Sequence, residues 1–250
     1  MTYNPQTYWV QLYDVTLMQL TNWRWAWKGI LLGGTFIPLL TMIAFGFFAA
    51  DNANNAILYV YTGNIVMALM FAHQGRVTSN FAYMRATGTL GYFATLPIQR
   101  SVIVWATLLS FFVIFLPALI LIIFLGAWLL NIPLNIHPLI FLVAPIATTP
   151  LAALGALIGT TARRPESAME INRLLTLVLL FIGPIYTPPE TLPNFLIVLG
   201  RFSPATYVSS ALQQVLVGPV TNQLWMDMLA LLGFTIVSLA VVLRFMDWRE

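Results

Sequence analysis

The side chains that could do chemistry are few in this sequence and lie far apart. The sole lysine, Lys28, sits among tryptophans, and there is no Gly-x-x-x-x-Gly-Lys-[Ser/Thr] segment to hold a nucleotide phosphate. The two histidines, His73 and His137, have no carboxylate at metal-ligand spacing, and the chain contains no cysteine. Serines and threonines have no neighbouring general base. We therefore expect no catalytic residue, no metal site and no cofactor on this chain.

The composition is that of an integral membrane protein. Of 250 residues, 60% are hydrophobic and only 8% are charged, whereas soluble domains contain about 25% charged residues. Uncharged runs long enough to cross a bilayer recur along the chain. We predict one all-α membrane domain over residues 1–250, with six transmembrane helices at residues 29–50, 56–73, 101–130, 138–161, 168–187 and 223–243.

Acidic residues deep in a membrane would indicate an ion-coupled carrier. Asp51, Glu190 and Asp227 all fall near the same boundary of the predicted spans. We expect them to be solvated helix ends or a surface ion pair with Arg201. The pattern therefore argues against proton-driven transport and favours a machine energised from a separate subunit.

An amphipathic helix is predicted ahead of the first span, at residues 5–28. Trp9, Tyr13 and Leu17 share one face, and Gln11 and Asp14 lie opposite. Its end carries the aromatic and basic collar expected at a membrane interface, formed by Trp23, Arg24, Trp25, Trp27 and Lys28. This interfacial helix is either a plain membrane anchor or a contact for a cytoplasmic partner.

A polar interval follows the second span, and its spacing predicts another amphipathic helix at residues 82–96. As a single helix that stops before Pro97, it places Tyr83, Leu90 and Phe93 on one stripe and Arg85 on another. The segment is too polar to span and too regular for a loop. Two interpretations stay open: a helix resting on the bilayer surface, and a docking element for a partner.

Two short apolar stretches within residues 192–217 precede the last span. Each is too short to cross a bilayer, and Ser203-Pro204 between them is a helix-starting pair. Irregular backbone exposed to lipid is not tolerated at depth. We therefore predict two short helices at the outer surface, or a re-entrant pair.

Basic residues fall almost entirely on one side of this topology. Ten of the eleven lie on the side of the polar interval, and Arg201 alone lies on the other. By the positive-inside rule, the polar interval and both termini are cytoplasmic. The small net charge of +3 thus reports topology, with no indication of nucleic-acid binding. The expected location is a plasma membrane, the inner membrane if the source is bacterial.

The polar interval contains a segment, Gly88-Thr-Leu-x-x-x-x-x-Leu-Pro-x-x-Arg100, that resembles the cytoplasmic coupling helix of the type-2 ABC transporter permeases. That group contains drug, polysaccharide and glycolipid exporters. A Leu-Pro and then a Pro-x-x-Tyr, here Pro204-Ala-Thr-Tyr207, before the last span is similar to the family's layout. The family usually has acidic residues where this chain has Ala86 and Gly91, and a basic residue at the position of Gln214.

The resemblance implies the permease subunit of an ABC exporter, which works as a dimer with two cytoplasmic ATPase subunits that bind ATP and Mg²⁺. Coupling to the ATPase would fall on Tyr83, Arg85, Leu90, Phe93, Leu96 and Pro97. An external gate would be formed by Phe195, Leu199, Pro204 and Tyr207. A pathway for a hydrophobic, lipid-linked or saccharide substrate would include Phe45, Asn64, Met67, Phe71 and Phe181.

Two other functions stay open from the sequence. One is an energy-independent lipid scramblase or channel, and the other is a membrane scaffold without transport. An ATPase that co-purifies with the chain would favour the exporter, whereas lipid movement by the purified protein without nucleotide would favour the scramblase.

Overall fold

The structure, a computed structural model, describes residues 7–25, 27–49 and 55–245. Within these ranges the chain is helical and contains no strand. The predicted turn that contains Asp51 and the basic residue Arg249 lie outside the described residues. The all-α prediction is confirmed for the part of the chain that the structure describes.

Five helices in the described ranges are long and apolar enough to cross a membrane. They are α2 (Trp27–Ala49), a composite of α3 (Asn55–Ala68), a π-helical segment (Leu69–Gln74) and α4 (Gly75–Ala86), then α6 (Arg100–Leu129), α7 (Ile140–Thr161) and α11 (Asn222–Phe245). The shorter helices are α1 (Tyr8–Asn22), α5 (Thr89–Thr95), α8 (Pro165–Phe181), α9 (Asn194–Gly200) and α10 (Pro204–Leu216).

The number of spans depends on the short helices. Helices α9 and α10 meet at 88°, and counting this bent pair as one span raises the total to six. Helix α8, at the place of the predicted fifth span, has 17 residues, or about 26 Å, slightly less than the roughly 30 Å hydrocarbon core. The structure thus supports a multi-pass protein with five or six spans.

The second span is longer than predicted. We expected it to end at residue 73, before the polar interval, but helix continues without a gap from Asn55 to Ala86. The polar residues that suggested an end are turned into the protein, because Gln74 and Thr78 are fully buried and bond to Asn172 of α8. The Gln74 amide nitrogen and the Thr78 hydroxyl are satisfied in this way inside the bundle, and the helix continues.

The bundle has two main apolar clusters along its length. The larger joins α2, α3, α6, α7, α10 and α11. The second lies at the end of the bundle that carries α5, and combines residues of α4, α5, α6, α7 and α11. We call this the α5 end, and the opposite one, with α9 and the start of α10, the α9 end.

Close packing of α4 on α7 depends on two glycines at i and i+4. A β-carbon at Gly155 would lie 2.6 Å from the Gln74 carbonyl oxygen, and one at Gly159 would lie 2.5 Å from that of Thr78. Small residues at this spacing let membrane helices approach to backbone contact. The α4–α7 pair is therefore a fixed support for the α5 end.

Helix α1 lies along the first part of α6. The Gln19 amide donates to the Thr107 hydroxyl at 3.4 Å, and the Ser110 hydroxyl donates to the Thr16 carbonyl at 3.2 Å. The opposite face is apolar and exposed, with Trp9 and Tyr13 at 72% and 64%. A helix with polar contacts to the bundle and aromatic residues outward has the arrangement expected at a membrane surface.

Candidate functional site

The predicted helix over residues 82–96 is two helices in the structure. Helix α4 ends at Ala86, and Gly88 adopts a φ of 72° before α5 begins. Such a left-handed residue after a helix end favours glycine. The single stripe predicted for Tyr83, Leu90 and Phe93 is therefore wrong, because the break rotates α5 relative to α4.

The apolar residues of α5 point inward. Leu90 and Phe93 are only 3% and 6% exposed, and they pack in the second cluster with Ile103 and Val242. Both are predicted coupling residues, but neither side chain projects outward towards a partner. They hold α5 against the bundle instead. A role for them in coupling stays a prediction, now through the position of α5.

The outward face of this region carries two tyrosines. Tyr83 at the end of α4 and Tyr92 in α5 are each 63% exposed. Between them, the Thr87 and Thr89 hydroxyls bond to each other at 2.8 Å across Gly88. This face therefore presents large aromatic surface, and tyrosine is enriched among the residues that contribute most to binding at protein interfaces.

A cleft of about 270 Å³ separates α1 from α5 and the turn that follows it. Gln11 connects the two sides: its amide nitrogen donates to the Pro97 carbonyl, and its oxygen accepts from the Gln99 amide, both at 3.4 Å. The lining is formed by Gln11, Asp14, Val15 and Met18 of α1, and by Phe93, Leu96, Pro97 and Ile98. Three predicted coupling residues, Phe93, Leu96 and Pro97, thus line an open apolar cleft beside α1.

Arg85 connects α4 to the end of α7. Its guanidinium donates to the Thr160 carbonyl at 2.8 Å and to the Ala162 carbonyl at 3.4 Å. Carbonyls in the last turn of a helix lack intrahelical donors, and a cation there also suits the helix dipole. Arg85, a predicted coupling residue, thus forms a bridge between two helices.

A buried polar cluster that the sequence did not predict joins the composite span to α8. The Asn172 side-chain oxygen accepts from the Gln74 amide and from the Thr78 hydroxyl, each at 3.0 Å. His73, which precedes Gln74 in the chain, is also buried. The sequence does show a polar stretch at residues 73–78. Its hydrogen-bond partner Asn172, however, lies almost a hundred residues away in the chain.

The predicted external gate residues lie in two environments. Phe195 and Leu199 of α9 are exposed at 62% and 45%. Pro204 is buried, while Tyr207 donates its hydroxyl to the Arg201 carbonyl at 2.9 Å and packs on Phe234. Helix α10 is thus embedded among α3, α7 and α11, and α9 presents the apolar face. Gating by these residues stays a prediction.

The predicted pathway residues divide in the same way. Phe45, Phe71 and Phe181 are 46%, 44% and 68% exposed. Asn64 is fully buried, where it accepts from the Thr41 hydroxyl and donates to the Val60 carbonyl, and Met67 is also buried. Asn64 and Met67 therefore line no surface of the described chain, whereas the three phenylalanines do. Their part in a pathway stays a prediction.

Asp227 does not lie where we expected it. Instead of a solvated helix end paired with Arg201, it is 1% exposed and accepts hydrogen bonds from Ser210, Gln214 and Gln223. Gln214, at the position where the resemblance suggested a basic residue, is thus a ligand of a buried carboxylate. The short amphipathic helix α10 brings Ser210 and Gln214 against α11, which carries both Asp227 and Gln223.

A family model described as ABC-2 type transporter matches residues 11–217, from α1 through α10. No curated protein matches the chain. The matched region includes the α1 cleft, α5, the Arg85 bridge and the bent pair α9–α10, so every element of the geometry described above falls inside it except α11.

Proposed function

Because the chain belongs to the ABC-2 type transporter family, we propose that it is the membrane-spanning permease subunit of an ATP-binding-cassette exporter. It forms the translocation pathway as a dimer, and separate cytoplasmic ATPase subunits bind ATP and Mg²⁺ and drive it. The family makes the chain a transporter membrane domain, and the export direction and the partners are our proposal.

One observation carries the proposal for coupling. The seven-residue helix α5 lies in the chain between two long helices. Its buried residues Leu90 and Phe93 anchor it to the bundle, and Tyr92 on its other face is exposed. A helix anchored by buried side chains can transmit a push to the bundle, which a mobile loop cannot do. We propose that α5, Tyr83 and the adjoining α1 cleft are the docking surface for the ATPase.

The length of α6 supports a docking surface outside the lipid. Its 30 residues extend about 45 Å, against roughly 30 Å for the hydrocarbon core. Trp23 of the aromatic collar packs on Phe111 with ring centroids 5.5 Å apart. If the collar marks the membrane interface, the part of α6 before Phe111, and α5 with it, stands beyond the lipid on the cytoplasmic side.

Two connections supply routes from the docking surface to the spans. Arg85 joins α4 to the end of α7, and the Gln74–Asn172–Thr78 cluster joins the same composite span to α8. The exposed apolar faces of α2 and α8, which include Phe45 and Phe181, would then meet the second permease copy, the substrate or lipid. Closure of the ATPases would reach these faces through α4, α7 and α8.

Affinity purification from the native host tests the proposal. We expect a tagged chain to retain an ATPase with Walker motifs, and we expect the complex to hydrolyse ATP. Mass spectrometry identifies the retained subunit. When two differently tagged forms of the chain are co-expressed, the amount of one form that co-purifies with the other gives the number of permease copies in a complex. Purified chain that moves lipid between leaflets with no ATPase bound and no nucleotide would instead identify a scramblase.

A further inference from the structure

A second cavity lies near the α9 end of the bundle, away from α5 and its cleft. It has a volume of about 280 Å³ and lies between α3, α10, α11 and the loop after α8. Its polar and aromatic walls include Tyr59, Thr206, Tyr207, Ser210, Gln213 and Asp227. A cavity of this size is slightly smaller than typical drug-binding pockets, so it suits a small group.

The carboxylate of Asp227 is the only charged group among the residues that line the cavity. Its Oδ2 accepts from the Ser210 hydroxyl at 2.6 Å and from the Gln214 amide at 3.2 Å, and its Oδ1 accepts from the Gln223 amide at 3.0 Å. A carboxylate offers about four acceptor positions. Three are filled within the described chain, and one on Oδ1 is left for a donor in the cavity.

The charge of Asp227 has no counter-ion in the described part of the chain. No salt bridge there includes it; the one ion pair described joins Arg173 to Glu170, in the first half of α8. Two other charged residues lie near the cavity. Glu190 follows the lining residue Pro189 in the chain, and the Arg201 carbonyl oxygen accepts a hydrogen bond from the Tyr207 hydroxyl. Both of these charged side chains are exposed. A buried charge without a partner is costly, and in membrane proteins it commonly serves as a ligand's counter-ion.

Two further features of the wall point to a ligand. The Thr206 hydroxyl is buried and has no hydrogen-bond partner within the described residues, and Thr206 is one of the residues that line the cavity. Tyr59 and Tyr207 supply aromatic surface to the same cavity. Aromatic rings near an anion form the environment that stabilises an organic cation, because the ring face attracts positive charge.

We propose that this cavity binds an alkylammonium group, with Asp227 as its counter-ion, the Thr206 hydroxyl as an additional acceptor, and Tyr59 and Tyr207 beside its alkyl part. The ammonium group could belong to a free amine or to an aminophospholipid headgroup, which share this chemistry. The site is independent of ATPase docking, because none of its residues belongs to the α5 end.

Binding of n-butylammonium, with n-butanol as the neutral analogue, tests the proposal. The full chain is placed in nanodiscs of phosphatidylglycerol, which has no amine, and saturation-transfer NMR follows each probe. We expect saturable butylammonium binding and none for butanol. Asp227→Asn should weaken butylammonium binding at least tenfold. Equal binding of the two probes, or unchanged binding to Asp227→Asn, would overturn the proposal.

A second variant covers the case in which Asp227→Asn does not fold. Gln213→Phe adds bulk to the cavity wall, and the Gln213 side chain makes none of the hydrogen bonds described for Asp227. We expect it to abolish butylammonium binding, and full retention would overturn the proposal. Glu170→Gln removes an exposed carboxylate in α8 and serves as the control, with binding equal to wild type.

The lipid composition distinguishes the two sources of the ammonium group. If aminophospholipid headgroups occupy the cavity, adding phosphatidylethanolamine to the nanodiscs should raise the apparent dissociation constant of butylammonium for wild type. Monogalactosyldiacylglycerol, a neutral lipid without an ammonium group, controls for general lipid effects at the same fraction. An unchanged constant in phosphatidylethanolamine would assign the site to free amines.

Discussion

At the scale of single residues, Arg85 carries the main structural connection of the α5 end. Its guanidinium reaches two carbonyls at the C-terminal end of α7, where only a side chain or water can act as donor. A hydrogen bond with a charged partner contributes more than a neutral one. The residue therefore holds the ends of two long helices together next to the proposed docking surface.

Replacing Arg85 with alanine should destabilise the protein and weaken coupling. Net values for hydrogen bonds to charged groups are about 1.5–3 kcal/mol. Arg173→Ala is the matched control, since Arg173 pairs with Glu170 at an exposed position, where ion pairs contribute about 0–1 kcal/mol. Thermal unfolding in nanodiscs and ATPase stimulation measure both effects. Equal shifts for the two variants would contradict the role of Arg85.

At the scale of elements, α5 shows why sequence pattern alone was insufficient. Some prolines mark helix starts: α10 begins at Pro204, as expected, and α8 begins at Pro165. Gly88 was read as part of a helix, because its left-handed conformation leaves no trace in hydrophobic spacing. The continuation of the second span through Gln74 and Thr78 depends on Asn172, a partner too distant for any local pattern to reveal.

Gly88→Ala tests the break between α4 and α5. A β-carbon there meets nothing within 4 Å, so the effect should come from the backbone alone, at about 1–2 kcal/mol for a left-handed conformation. Gly233 in α11 also has open space but no positive φ, and Gly233→Ala should be neutral or stabilising. Denaturation of both variants gives the comparison. A neutral Gly88→Ala would contradict the turn described for this position.

The two faces of α5 should respond differently to truncation. Leu90→Ala removes a buried side chain, a change that typically costs about 2–5 kcal/mol of folding stability. Tyr92→Ala removes an exposed one and should leave stability nearly unchanged while it weakens ATPase retention. Thermal unfolding and pull-down of the ATPase separate these effects. Loss of stability in Tyr92→Ala with normal ATPase retention would reverse the assignment of the faces.

At the scale of the whole molecule, docking of a cytoplasmic ATPase at α5 requires the α5 end to be cytoplasmic. Basic residues cluster on that side, and Arg163 and Arg164 at the end of α7 belong to it. The chain has no native cysteine, so single substitutions give a clean test. We expect Glu190→Cys to react with an impermeant maleimide in intact cells and Arg163→Cys to react only after lysis. The reverse labelling would invert the topology.

The most direct measurement of the central claim is a photo-crosslink from the outward face of α5. A benzophenone amino acid replaces Tyr92 in cells that contain the native partner. We predict a covalent adduct with an ATPase that carries Walker motifs. The same group at Phe141, 86% exposed near the start of α7, should form no such adduct. A complex that contains the ATPase but crosslinks from position 141 and not from position 92 would contradict docking at α5.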